Sequence, residues 1–289
     1  MPILSIVACE MLEDELVNVL STDPGIKHLF VVENRNISRF IQKLRYEDLR
    51  PFVFSSDRLY PLVSESNRRS PDTFMRIVSK IPCFRQAGDL FNQNKQQELT
   101  VVVNLLTKDL HPYPDKLQSE VYLNAREMSQ ISDGILIFYG KCGYSSEKVQ
   151  NDLQRLDCPV YFLRDNERNL VDDCISVALG GNDAYGNSKE LGKGKAVFYA
   201  TPMWLSDMNK GNFKSTLSYD ENARYLRNPD YAFLVKINNQ IYKDNTYHEN
   251  ASEFAKEFDM EIINTSGTMD IAINSYAETK TGISDSDSC

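Results

Sequence analysis

The stretch Leu99 to Leu106 (LTVVVNLL) limits the possible folds more than any other part of this chain. A strand with one wet face alternates apolar and polar residues. This one is apolar almost throughout and rich in β-branched residues, so it must be buried on both faces, as in a parallel sheet with helices above and below. Shorter runs of the same kind recur at Leu4–Ala8, His28–Val32, Gly134–Tyr139, Pro159–Leu163, Ala196–Ala200, Ala232–Ile237 and Met260–Ile263. Between them the apolar residues fall at helical spacing: Met11, Leu12, Leu16, Val19 and Leu20, then Ile37, Phe40, Ile41 and Leu44. Further helices are predicted over 115–131, 145–156, 174–179 and 250–258, with another opened by Pro202. The pattern predicts an α/β fold of alternating strands and helices, with mostly parallel sheet covered on both faces, in two Rossmann-like halves. The first half spans 1–165 with a mainly helical insertion near 46–97, where Phe74–Ile81 is the best helical piece. The second spans 166–278, and a Ser/Asp/Thr-rich tail over 279–289 reads as flexible.

Composition excludes several function classes. The net charge is −9, from 32 basic and 41 acidic residues, which repels a phosphate backbone. The basic clusters, Asn67-Arg68-Arg69 and Lys193-Gly194-Lys195, are too short to reverse this, so no nucleic-acid partner is expected. No apolar run reaches the roughly 18–20 residues of a membrane span. The N-terminus lacks a basic region and runs into the acidic segment Glu10 to Glu15, so it does not read as a signal peptide, and the chain is expected to be cytoplasmic. The six cysteines are far apart in a large chain, which argues for buried, metal-binding or reactive thiols rather than a disulfide framework. Cys83 and Cys158 read as packing residues, and Cys289 as a tail thiol.

In parallel α/β folds, ligands bind beyond the C-terminal ends of the strands. Cys9 ends the first strand, and Cys142 lies three residues past the strand ending at Tyr139. Cys174 opens a helix behind Asp172-Asp173, and His111 follows the Leu99–Leu106 strand. A helix N-terminus favours the thiolate, which is the form that binds metal or attacks an electrophile. Three thiolates suit zinc or an iron–sulfur cluster, so Cys9, Cys142 and Cys174 are the expected metal ligands. His111 is expected as a fourth ligand or acid–base group, and His111 and Cys142 as the catalytic pair. Tyr144, Asp173 and Trp204 are expected to bind the cofactor, with Tyr185 and Tyr199 near the same edge. Gly180-Gly181 reads as a helix C-cap and Gly192-Lys193-Gly194-Lys195 as an ordinary turn. Neither has the context of a phosphate-binding fingerprint.

At these residues the chain resembles an uncharacterised family, a domain of unknown function of methanogenic archaea and other anaerobes. The family's Ala-Cys-Gly turn corresponds to Ala8-Cys9-Glu10, and its Leu-His-x-x-Pro segment to Leu110-His111-Pro112-Tyr113-Pro114. Its Tyr-Gly-x-Cys-Gly turn is Tyr139 to Gly143, and its His-Asp-Cys-Ile helix start is Asp172-Asp173-Cys174-Ile175. Its aromatic-x-Thr-Pro-x-Trp segment is Tyr199 to Trp204. Glu10 replaces the usual glycine and Asp172 the usual histidine, so a ligand role for that histidine is absent here or passes to a carboxylate. The resemblance implies an anaerobic setting and one-carbon or corrinoid-linked metabolism, with no established reaction. The residues leave three readings: a metal- or iron–sulfur-binding protein, a metal-free thiol enzyme or small-molecule binder led by Cys142, and an accessory subunit that meets a protein partner through the 46–97 insertion. Oligomeric state is open.

Overall fold

The computed structural model describes residues 1–34, 37–55, 98–208, 226, 230–239 and 246–286. Its larger sheet has six parallel strands in the order β3-β2-β4-β1-β5-β6. These are β1 (Ile3–Cys9), β2 (Ile26–Glu33), β3 (Phe52–Ser55), β4 (Leu99–Leu106), β5 (Gly134–Phe138) and β6 (Val160–Phe162). The three central strands, β4, β1 and β5, are buried at every position, as their unbroken apolar runs require. A smaller parallel sheet, β7-β8-β9, is built from β7 (Ala196–Ala200), β8 (Tyr231–Asn238) and β9 (Glu261–Ser266).

The helices, in chain order among the described residues, are α1 (Glu13–Ser21), α2 (Ile37–Tyr46), α3 (Pro114–Met128), α4 (Glu147–Gln154), α5 (Cys174–Leu179), α6 (Asn182–Ser188), α7 (Pro202–Met208), α8 (Thr246–Glu257) and α9 (Asp270–Ser286). Right-handed crossovers fix which face each covers. The β1-to-β2 and β5-to-β6 connections run in opposite directions along the sheet, so α1 and α4 lie on opposite faces. α3 packs on β1 and β5 and against α4, and α2 packs with α1. The same divergence makes the exits of β1 and β5 the topological switch point, the place where such sheets bind ligands.

α9 joins the two sheets. It leaves β9, crosses to the larger sheet and packs on α1, β5 and β6. Tyr276 and Lys280 both reach Asp23, at 2.7 Å each, and Ile283 is fully buried against Gly134. This corrects the expected flexible tail: residues 279–286 belong to a packed helix, whose polar composition hides a narrow buried stripe of Ile271, Ala272, Ser275, Tyr276, Thr279 and Ile283. The insertion also differs from a mainly helical reading at its start, because Phe52–Ser55 pairs with β2 as an edge strand. Residues 56–97, with Phe74–Ile81, Asn67-Arg68-Arg69 and Cys83, lie outside the described residues, as does Cys289.

Candidate functional site

The site begins with a backbone clamp. After β5 the chain turns through Gly140, and the amides of Lys141 and Cys142 donate to the carbonyls of Val171 and Asp172 at 2.8 and 3.2 Å. This docks the turn carrying Cys142 onto the segment that leads into α5 and Cys174. The approach is close enough to require glycine: a Cβ at Gly140 would lie 2.5 Å from the Asp173 Cα and 2.8 Å from the Asp172 oxygen. Lys141 adds an ion pair to Asp172 at 3.2 Å, between half-exposed side chains. α5 is capped as expected. The Asp173 carboxylate accepts from the Ser176 amide at 2.8 Å and from its hydroxyl at 3.1 Å, and Gly180 ends the helix in the left-handed region at φ 95°.

Cys9 sits at the exit of β1, with its Sγ 3.3 Å from His111 Nε2. The His111 ring stacks on Tyr139, with centroids 6.3 Å apart and planes at 23°. The Tyr139 hydroxyl is buried beside Cys9, and burial and the nearby thiols raise its pKa. All four described cysteines are free thiols. Cys9, Cys142 and Cys174 lie within electrostatic reach of one another: Cys142 raises the pKa of Cys9, and both raise that of Cys174. Asp173 acts on both His111 and Cys142. The structure thus sets Cys9 against His111 and keeps Cys9, Cys142 and Cys174 within electrostatic reach of one another. Cys158 packs in the core, as expected.

The protonation states differ from the sequence reading. Helix N-termini were expected to lower the thiol pKa values. Instead burial, reinforced by neighbouring charge, pushes Cys142 up to about 11 and Cys9 and Cys174 higher still. A helix end contributes about 0.3–1 kcal/mol at ordinary sites, whereas burial shifts a group by as much as several pKa units. Burial also lowers the His111 pKa, against the pull of Asp173, and so favours the neutral imidazole. Among the described residues, no three His, Cys, Asp or Glu side chains stand where they could hold a metal ion as placed.

The residues expected around a cofactor are used in several ways. Tyr144 is fully buried with its ring 4.7 Å from Phe162, and its hydroxyl has no partner. Trp204 packs edge-on to Phe198 at 6.0 Å, and its buried indole N–H is likewise unpartnered. Trp204 and Cys174 touch the cores of both sheets, so the site lies at their junction. Tyr185 and Tyr199 pair edge-on at 5.1 Å, and Ser188 bonds the Tyr199 hydroxyl at 2.7 Å.

Residues 105–276, more than half of the chain, match the model of a family described as protein of unknown function (DUF1638). The chain belongs to the DUF1638 family. No curated protein and no solved structure matches it. The span shared with DUF1638 takes in His111, Cys142, Asp173, Cys174 and Trp204, while Cys9 precedes it.

Sequence reasoning missed the buried acids beside Cys9. Glu10, Glu13, Asp14 and Glu15 are all at most 5% exposed. Arg39 reaches Glu10 and Glu13 at 3.2 Å each, and Lys43 bonds Glu13 at 2.8 Å and also Asp14. Glu10 accepts from the Lys108 amide at 2.9 Å, which anchors the loop carrying His111. Glu15 accepts from the amide of Asn239 at 3.1 Å, and burial with the nearby Asp14 charge raises it to about 7. The available signal was the spacing of Arg39 and Lys43, four apart on one face of α2 opposite an acidic helix start.

Proposed function

We propose that this protein binds a thiophilic metal ion or an iron–sulfur cluster at the exits of β1 and β5, using Cys9, Cys142 and Cys174, with His111 beside them. The observation that supports it is the gathering of three free thiols and a neutral-leaning imidazole from four separate segments at the switch point of the larger sheet. The donor set is chemically suited to zinc or iron. The thiols oppose one another's ionisation, and a cation among them would remove that penalty and favour all three thiolates. Because no ready-made set of ligands among the described residues stands at coordinating positions, loading requires the side chains to rearrange. His111, 3.3 Å from the Cys9 sulfur, is placed to accept the proton that thiol loses. A bound metal would supply a Lewis-acidic or electron-carrying centre. The anaerobic, one-carbon-linked setting implied by the family resemblance suits such a site. Burial and raised thiol pKa values weigh against a metal-free nucleophile at Cys142.

The test is the metal content and visible spectrum of protein purified without oxygen, wild type beside Cys142→Ala. Stoichiometric iron with charge-transfer absorption, lost in the variant, supports a cluster. Colourless zinc, lost in the variant, supports a single-ion site. Wild-type protein that holds no metal, and takes up none when offered iron and sulfide or zinc, sinks the proposal.

A further inference from the structure

Lys236 lies in the middle strand of the smaller sheet, two residues before its C-terminal end, and is 1% exposed. Its amino group meets no carboxylate among the described residues. It contacts the His248 ring, touching Nδ1 and lying 3.5 Å from Nε2, and sits 4.8 Å from the centre of the Tyr247 ring. Both partners belong to the first turn of α8. Tyr247 is itself held in place, its hydroxyl bonded to the carbonyls of Ala200 and Ile237 at 2.7 and 2.9 Å.

This is a poor place for an ammonium ion. Burial removes its hydration, no carboxylate among the described residues replaces it, and the first turn of a helix carries partial positive charge. Burial accordingly lowers the lysine pKa. A free lysine amine is a nucleophile towards carbonyl carbon. The position also follows the parallel-sheet rule, since it lies near the C-terminal edge of a central strand. Nothing in the thiol site uses it.

We propose that Lys236 is a second reactive centre, separate from the thiols, whose amine condenses with a small aldehyde or ketone to hold it as an imine, with His248 carrying the proton. The Nζ lone pair adds to the carbonyl carbon, forming a C–N bond as the carbonyl π bond opens. His248 takes a proton from nitrogen and returns it to the oxygen. Water then leaves as the C=N bond forms, and no oxidant or reductant is consumed.

Reductive labelling of the whole protein tests this. Formaldehyde in less than stoichiometric amount, with cyanoborohydride at pH 7, is followed by peptide mass mapping, with exposed Lys193 and Lys195 as internal references. Lys236 is expected to label faster than the references, because burial lowers its pKa and enlarges its free-amine fraction at pH 7. His248→Gln is expected to bring Lys236 towards the reference rate while leaving Lys193 and Lys195 unchanged. Labelling of Lys236 at or below the reference rate in wild type overturns the reactive centre. Fast labelling that His248→Gln leaves untouched overturns the proton-carrying role. The test of the reactive centre is wild-type chemistry at one residue and needs neither a folded variant nor metal at the thiols; unchanged Lys193 and Lys195 labelling checks that His248→Gln keeps its fold.

Discussion

Gly140→Ala is the sharpest perturbation of the candidate site. Gly140 has φ −74°, a conformation alanine adopts freely, so the substitution carries no backbone penalty of its own. The added methyl would stand 2.5, 2.7 and 2.8 Å from the Cα and nitrogen of Asp173 and the oxygen of Asp172. All three are backbone atoms, and no rotamer change removes the clash. Either the methyl is accommodated by strain, at about 1–3 kcal/mol, or the turn lifts off. Lifting off breaks the bonds from Lys141 and Cys142 to Val171 and Asp172, at roughly 1 kcal/mol each. The expected loss is therefore about 1–3 kcal/mol. Urea unfolding of Gly140→Ala beside wild type measures it. Gly186→Ala is the control, since its Cβ would meet nothing within 4 Å and it lies within α6; there alanine should stabilise by about 0.5–1 kcal/mol. A Gly140→Ala protein within 0.5 kcal/mol of wild type would refute the clamp, and with it the claim that Cys142 and Cys174 are held together by the fold.

Cys142 in the folded protein, with its pKa near 11, should alkylate about 300-fold more slowly at pH 7 than an ordinary thiol of pKa near 8.5, by iodoacetamide labelling with mass mapping; a rate matching a free thiol would revive the nucleophile reading. Glu15, raised to about 7 by burial and the Asp14 charge, favours folding fully below the unfolded carboxyl pKa near 4, and that contribution is lost as pH rises through 7. Glu15→Gln should therefore match wild type near pH 4 and exceed it by about 2–4 kcal/mol above pH 8, and equal stability across that range by urea unfolding would contradict it. Ile283→Ala should cost about 2–4 kcal/mol, because the side chain is fully buried against Gly134; a neutral result would restore the flexible tail. Asp173→Ala removes the side-chain cap of α5 and should cost about 1 kcal/mol, read as a lower thermal midpoint.

How much of the fold was legible followed from burial. β1, β4 and β5 are covered on both faces, and their sequences are continuous apolar runs that admit little else. β3 has only four residues at an edge, half-buried to exposed, so burial imposed no pattern on it. α6 reads NDAYGNS and has no apolar stripe; one side chain ties its start down, as Asn182 donates to the Leu170 carbonyl at 3.0 Å and accepts from the Asp172 amide at 2.9 Å. α9 ends in small polar residues that can be buried because their hydroxyls bond back into the helix, as Thr279 does to the Ser275 carbonyl at 2.7 Å.

The site was legible in position but not in electrostatics. Cys9, Cys142, Cys174 and His111 stood at strand exits and a helix start whatever the strand order, and only the order β4-β1-β5 decides that those exits adjoin. The charge states depended on depth, which spacing does not report. A six-residue helix such as α5 has a small dipole to set against the burial of the Cys174 thiol, so the thiol rises where an exposed one would fall. The same blindness hid the acids. An acidic helix start normally reads as solvated residues favoured by the dipole, yet here the sheet exit and α2 enclose them. Arg39 and Lys43 answer Glu10, Glu13 and Asp14, while Glu15 receives an amide in place of a cation. An amide donor satisfies a neutral carboxyl as well as a charged one, whereas burial penalises only the charged form. That asymmetry is why burial holds Glu15 up at about 7, while Lys43 and Arg39 oppose the rise at Glu13.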